Sequence, residues 1–320
     1  MRSITGSLPG CAPGHPWLAL AFAAMLPACG GEAEFQPVSQ ASSFLTLIDV
    51  WAFSETDVWF IDGGPTVQRF DGDSFSTLET PALGAVSCIF ALSPSDVWLC
   101  AGSDVLHYDG ATFTPMNVTG DTGLDGLTDI WASSPTDVWA VGDDAIVAHF
   151  DGTRWIRESS GATFASSIWG SSPTDVYVLG TFDLVHFDGS VWTPIDLDSG
   201  AGDGEVFGTS ASDVWVMTDS TELAHFDGAV WQTVDIGDNF IGDLSAVWGL
   251  APDDLWAAGS AGSIAHFDGS SWQEIRHQRI GAPHLQLFHA VHGTSSDDVW
   301  AVGNQLGEGG STGLIFHHGL

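Results

Sequence analysis

Lysine is absent from this 320-residue chain, and six arginines stand against 41 aspartates and glutamates, a formal net charge of −35. A surface so poor in cations repels phosphate backbones and has no basic stripe to release counterions, which excludes nucleic acid as a partner. Charged residues of both signs make up only 15%, while hydrophobic residues reach 44%, a balance that excludes a solvated, disordered acidic chain. The apolar run near the N-terminus, "WLALAFAAMLPA" from Trp17, is too short to span a bilayer. No HExxH, P-loop or nucleophile-elbow pattern occurs, so nothing points to catalysis. Aromatic residues, by contrast, are plentiful. Fifteen Trp and 19 Phe point to a folded, β-rich body.

Arg2 and the apolar run together read as an export signal over residues 1–28. The run ends in "LPAC", Leu26 to Cys29, which resembles a bacterial lipobox. That resemblance implies lipidation of Cys29, a short tether over residues 29–32, and, with Gly30 in place of Asp, an outer-membrane or cell-surface address. The alternative is an ordinary cleaved signal peptide.

The rest is governed by self-similarity. "HFDGTRW" at His149, "HFDGSVW" at His186, "HFDGAVW" at His225 and "HFDGSSW" at His266 belong to a unit of about forty residues. A "DVW" element recurs at Asp57, Asp96, Asp137, Asp175, Asp213, Asp254 and Asp298. Each unit carries four short apolar runs, so the expectation is all-β: a seven-bladed β-propeller with four antiparallel strands, A to D, per blade. Strand A is expected to end in an aromatic (Trp51, Phe90, Trp131, Trp169, Phe207, Trp248, with His292 in the seventh unit). Asp-Gly is expected to make a type I′ turn between strands C and D. Strand D opens with Phe75, Phe113, Trp155, Trp192, Trp231 or Trp272.

The seventh unit stops after its C–D turn. "EFQPVSQ" from Glu34 aligns with "VWTPIDL" from Val191, placing Phe35 on Trp192 and Pro37 on Pro194. Residues about 33–40 are therefore expected to supply the missing outer strand and close a ring over residues 33–320; the alternative is a loose linker after the lipid. Antiparallel strands put A–B and C–D turns on one face and B–C and D–A loops on the other. Cys29 lies six residues before Phe35, a reach of at most about 20 Å, so the repeated turns are expected to face the membrane.

The repeats resemble the bacterial propellers built from YVTN, BNR/Asp-box and WD-type units. The "DVWAVG" and "IAHFDGSSW" runs also look like tectonin repeats, which implies a lectin for lipopolysaccharide or related glycans. A BNR-type hydrolase would need several arginines converging on a carboxylate, whereas Arg154, Arg157, Arg276 and Arg279 fall on or after outer strands.

His107, His149, His186, His225 and His266 recur two residues before the turn Asp, beside the Asp of "DVW", which reads as an in-blade hydrogen bond. Function should sit where units differ. Eight residues before "DVW" stand Asp49, Cys88, Asp129, Ser167, Glu205, Ala246 and Ala290. Asp49, Asp129 and Glu205 suggest a hydrated cation such as Ca²⁺ in the channel; the alternative, a water-filled polar channel, is favoured by the absence of a compact ligand loop. Acidic loops from Thr119 and Asp196 lack EF-hand spacing. Hairpin symmetry sets Cys88 opposite Cys100, for a disulfide or two free thiols. His277, His284, His289, His292, His317 and His318 gather near the closure without spacing that fixes a metal geometry. The longest B–C insertion, "NQLGEGGSTG", offers Asn304, Gln305, Leu306 and Glu308 as a partner contact. The expectation is a monomeric, non-catalytic binding module for an envelope protein or, alternatively, a glycan.

Overall fold

The computed structural model describes residues 35–38, 46–81, 84–116, 126–197, 200–202, 204–237, 240, 242–275, 285–307 and 310–319. The expected export signal over residues 1–28, Cys29, His277, His284, Arg276, Arg279 and Glu308 lie outside them. Seven four-stranded antiparallel sheets form the blades of a ring. Inner strands A are Asp49–Ser54, Val86–Ser93, Leu127–Ser134, Ala165–Ser172, Val206–Ser210, Leu244–Ala251 and Gln286–Ser295. Blade 7 is completed by Asp298–Gly307, Gly310–His318 and, as its outer strand, Gln36–Pro37.

Alternation builds the core. "VWAVG" in blade 3 is buried along its whole length because strand B is covered on both faces by neighbouring blades. Among the described residues, each hydrophobic cluster lies between two blades. Trp139 and Val147 of blade 3, for example, pack with Ile168 and Val178 of blade 4. The aromatic of "DVW" reaches onto the outer half of the next blade. Trp139 meets Trp192 at 5.7 Å, Tyr177 meets Trp231 at 6.4 Å, and Trp215 meets Phe267 at 6.0 Å.

Phe35 repeats this contact at the closure. It is fully buried and takes Trp256 of blade 6 edge-on at 5.6 Å, the role Trp192 plays for Trp139. Gln36 pairs with His317 and Pro37 with Phe316, and the Val38 amide donates to the Ile315 carbonyl at 2.9 Å. Trp300 of blade 7 then packs on Phe60 and Phe70 of blade 1. The ring is closed.

Two local expectations need correction. Strand A does not end at its aromatic; it runs about three residues further, through a bulge that recurs in every blade, as between Ala132 and Ser134. The C–D turn is not type I′, which needs positive φ at both central residues. Only the glycine is left-handed, as at Gly72 (φ 96°). Four residues separate the strands, and the turn Asp accepts the amides two and three residues on, as Asp71 does from Asp73 and Ser74. A carboxylate cap replaces the second left-handed residue. Those amides, together with hydroxyls from Thr153 and Ser270, hold Asp151 and Asp268 at a pKa of about 2.

Candidate functional site

The repeated letters build one polar network per blade. In blades 2 to 7 a histidine Nε2 donates to the Asp of "DVW": His107 to Asp96, His149 to Asp137, His186 to Asp175, His225 to Asp213, His266 to Asp254 and His317 to Asp298, at 2.5–2.9 Å. Each imidazole lies against the Trp or Tyr of the same element, with centroids 3.8–4.4 Å apart. Trp59, Trp98, Trp215 and Trp300 also donate Nε1–H to their Asp. Blade 1 substitutes Arg69, which pairs with Asp57 through Nε (2.7 Å) and Nη2 (2.9 Å) and lies over Trp59.

A hydroxyl four residues before the Asp completes the network in blades 3, 4, 5 and 7: Ser133, Ser171, Thr209 and Thr294. Sequence reasoning passed over these, although "ASSPTD", "GSSPTD", "GTSASD" and "GTSSDD" carry them in register. In blades 2 and 6 the slot holds Leu92 and Leu250, which explains two of the exposed apolar side chains. Burial pushes Asp213 and Asp298 up, but the bonds from His, Thr and Trp outweigh it and hold both below the usual carboxylate range. These residues hold strands together and leave no open coordination position.

The central channel holds a cavity of about 240 Å³, lined by all seven inner strands. Asp49, Asp129 and Glu205 line it, as do Trp51, Phe90, Trp131, Trp169, Phe207, Trp248 and His292. Each carboxylate ties one blade to the next. Asp49 Oδ2 accepts the Ile89 amide (3.0 Å), Asp129 Oδ2 accepts the Ile168 amide and the Ser167 hydroxyl (2.8 and 2.9 Å), and Glu205 Oε2 accepts the Val247 amide (2.9 Å). The aromatics overlap from blade to blade. A Cβ on Gly208 would stand 2.7 Å from the Trp169 ring, so glycine there makes room for the neighbouring indole. His292 accepts the Ala52 amide at Nδ1 (3.1 Å) and lies 4.3 Å from Trp51.

The three carboxylates share the cavity without gathering on a metal. Among the described residues no group of three or more His, Cys, Asp or Glu has the geometry to hold one. The Ca²⁺ expectation therefore finds no geometric support, because each group is turned onto a backbone amide of the next blade. The histidines at the closure disperse in the same way. His289 bonds Asn304, His317 bonds Asp298, and His318 packs on Phe35 and Trp256.

Burial is the main cause that raises the three carboxyls: Asp49 to about 7, Asp129 to about 6 and Glu205 to about 8. Mutual repulsion adds to Asp49 and Glu205, against the amides that lower all three. Each binds a proton more readily in the ring than in the unfolded chain, so its stabilisation is lost as pH rises through these values. Burial holds His292 neutral with a pKa of about 3, so it costs stability only as pH falls below its unfolded value of roughly 6.5. Between pH 8.5 and 6.5 the carboxyls dominate. The melting temperature should rise on acidification across that window, by the equivalent of about 1–3 kcal/mol. Calorimetry should show Glu205→Gln removing the largest share; an unchanged slope would contradict the assignment.

Cys88 and Cys100 are Cα partners 5.0 Å apart and form a disulfide across strands A and B of blade 2. The blade 7 insertion is a continuation of strands B and C rather than a loop. Asn304 is buried within it, donating to Ser311 and accepting from His289, and so is unavailable for contact; Gln305 is half-buried and Leu306 is exposed. Among the described arginines none lines the channel: Arg69 pairs with Asp57, Arg154 lies beside Asp151, and Arg157 donates to the Asp144 carbonyl.

A different feature marks the B–C and D–A loop face. Phe182, in the B–C loop of blade 4, is 80% exposed, and Phe164, in the D–A loop leading into that blade, is 58% exposed. The two loops are clamped together. Asp183 accepts the Thr163 amide (3.1 Å) and hydroxyl (2.8 Å), and the Thr181 amide donates to the Thr163 carbonyl (3.1 Å). Phe164 is held at φ 48°, a left-handed conformation that costs a bulky residue roughly 1–2 kcal/mol.

Fold and repeated network define the molecule as a seven-bladed β-propeller. No family model matches the chain, and no curated protein does. Solved structures do. YCF48 bound to D1 peptide superposes with a TM-score of 0.67 at 14% identity, over 92% of this chain and 99% of that one. YCF48 from Cyanidioschyzon merolae gives 0.66 at 15%, over 90% and 99%. The extracellular domain of the putative hybrid two-component system BT3049 from B. thetaiotaomicron gives 0.69 at 13%, over 89% of this chain and 42% of that one. Likeness at these identities carries the fold alone.

Proposed function

We propose that this chain is an exported, lipid-anchored, non-catalytic propeller that binds a protein partner through its B–C and D–A loop face. The carrying observation is Phe164 and Phe182: two solvent-facing phenyl rings on the variable face, carried by loops that the Thr163–Asp183 hydrogen bonds tie together. Exposing such rings has a solvation cost, and left-handed φ adds strain, a combination found where a surface awaits a partner. Exposed Val191 and Val230, by contrast, belong to the repeated turns of the opposite face. YCF48, with the same fold, has been solved with a peptide bound, which is a precedent for peptide recognition on such a ring. Phe35 enters its strand at the C–D turn end, beside His317. A lipid on Cys29 would then hold the repeated turns toward the membrane and leave the variable loops free.

Photocrosslinking tests the reading. With p-benzoylphenylalanine at Phe182, producing cells should yield a discrete protein adduct, and the same probe at Val230 should yield none. Adducts only from Val230, or from neither position, would refute it. The lectin reading rests on the same phenyls, which also stack on sugar rings, and on the tectonin-like repeats. Glycan-array binding lost in Phe182→Ala, without a protein adduct, would move the assignment there.

A further inference from the structure

The channel combines three features that a water-filled pore does not need together. Its wall carries three carboxyl groups from blades 1, 3 and 5, with no arginine among the described lining residues. Trp51, Trp131, Trp169 and Trp248 also line the same cavity. At about 240 Å³ it has room for several waters' worth of ligand. Glu205 Oε1 has no hydrogen-bond partner among the described residues, while Oε2 is held by Val247.

Acids alone would suit a metal ion, but these are not gathered closely enough to coordinate one. A bulky, diffuse cation has no such requirement. It interacts with several carboxylates at longer range and lies favourably on aromatic surface, where desolvation strengthens a cation–π contact. The deficit of basic residues across the chain adds a field that concentrates cations at any opening.

We infer that the central channel is a binding site for an organic ammonium ion, held by its aromatic wall and by Asp49, Asp129 and Glu205. This site is independent of the loop-face reading, which can fail without affecting it. The other titratable group among the described lining residues, His292, is neutral and accepts the Ala52 amide, so it does not compete as a cation. Because burial keeps the carboxyls partly protonated near neutrality, binding displaces protons and strengthens from pH 6 to 8.5.

Choline and its uncharged carbon isostere 3,3-dimethylbutan-1-ol separate charge from shape. Calorimetric titration of the full chain at pH 8.5 should show saturable choline binding at least about tenfold tighter than the isostere. The preference should weaken at pH 6 and fall about fivefold or more in Glu205→Gln, which keeps an acceptor for the Val247 amide. Equal binding of the two compounds, no saturation by choline, or an unchanged Glu205→Gln titration would each overturn the proposal. The choline–isostere comparison uses the unsubstituted protein, so it decides the matter even if a variant fails to fold.

Discussion

Replacing Phe35 with alanine should destabilise the whole ring by about 3–5 kcal/mol, the usual cost of truncating a fully buried phenyl ring. In a domain of this size that is a fall in melting temperature of roughly 5–8 °C. The effect is out of proportion to a strand of two residues, and the reason lies in what Phe35 touches. It seats Trp256 of blade 6 edge-on and His318 of blade 7 at 5.2 Å, so its loss opens a cavity where the Gln36–Pro37 strand completes blade 7. An unpaired edge on strand C of blade 7 would also be exposed to other strands. Val191→Ala, truncating a side chain that is 56% exposed, should stay within about 0.5 kcal/mol. Differential scanning calorimetry of the two variants provides the comparison; a Phe35→Ala protein that melts like its parent would refute the role.

The second large effect is expected at Asp213. This carboxylate is 2% exposed and accepts from His225, Thr209 and the Trp215 indole. Asp213→Ala leaves the buried Trp215 donor and the part-buried His225 and Thr209 donors without an acceptor, at a cost of about 3–5 kcal/mol. Asp213→Asn keeps one acceptor oxygen and should cost clearly less. Asp96→Ala should also be milder, because Leu92 replaces the hydroxyl and that end of blade 2 is more open. Equilibrium denaturation gives the three values. Equal losses at Asp213 and Asp96 would contradict the view that the complete network makes the difference.

Much of the ring is legible in the letters because a period of about forty residues averages away local noise. The closing strand is legible because the seventh unit lacks one element and "EFQPVSQ" supplies it, with Phe35 in register with Trp192. The Asp–His bonds are legible for the same reason: both residues recur. Their hydroxyl partners recur in only four of the seven blades and blend into an ordinary turn. The type I′ expectation failed because Asp-Gly has two uses, and here the Asp side chain, not its backbone, turns the chain.

Sites outside the repeat are harder to read. Position eight before "DVW" identifies Asp49, Asp129 and Glu205 as channel-lining, but not that each points at an amide of the next blade, which depends on how adjacent strands are staggered. Asn304 looks like a loop residue until strands B and C are seen to continue past it. Phe164 and Phe182 have no periodic partner. Only the left-handed φ of Phe164 and a clamp between the two loops set them apart, and neither has a sequence signature.

The central claim is that residues beside Phe35 are an integral strand of the last blade. Native-state hydrogen exchange at the Val38 amide, which donates to Ile315, tests it most directly. The expected result is protection on a par with interior amides of blade 7 such as Ala301, with exchange only through global unfolding. Exchange of Val38 as fast as a free peptide, while Ala301 stays protected, would mean that the N-terminal segment is a loose tail and the ring is held shut by something else.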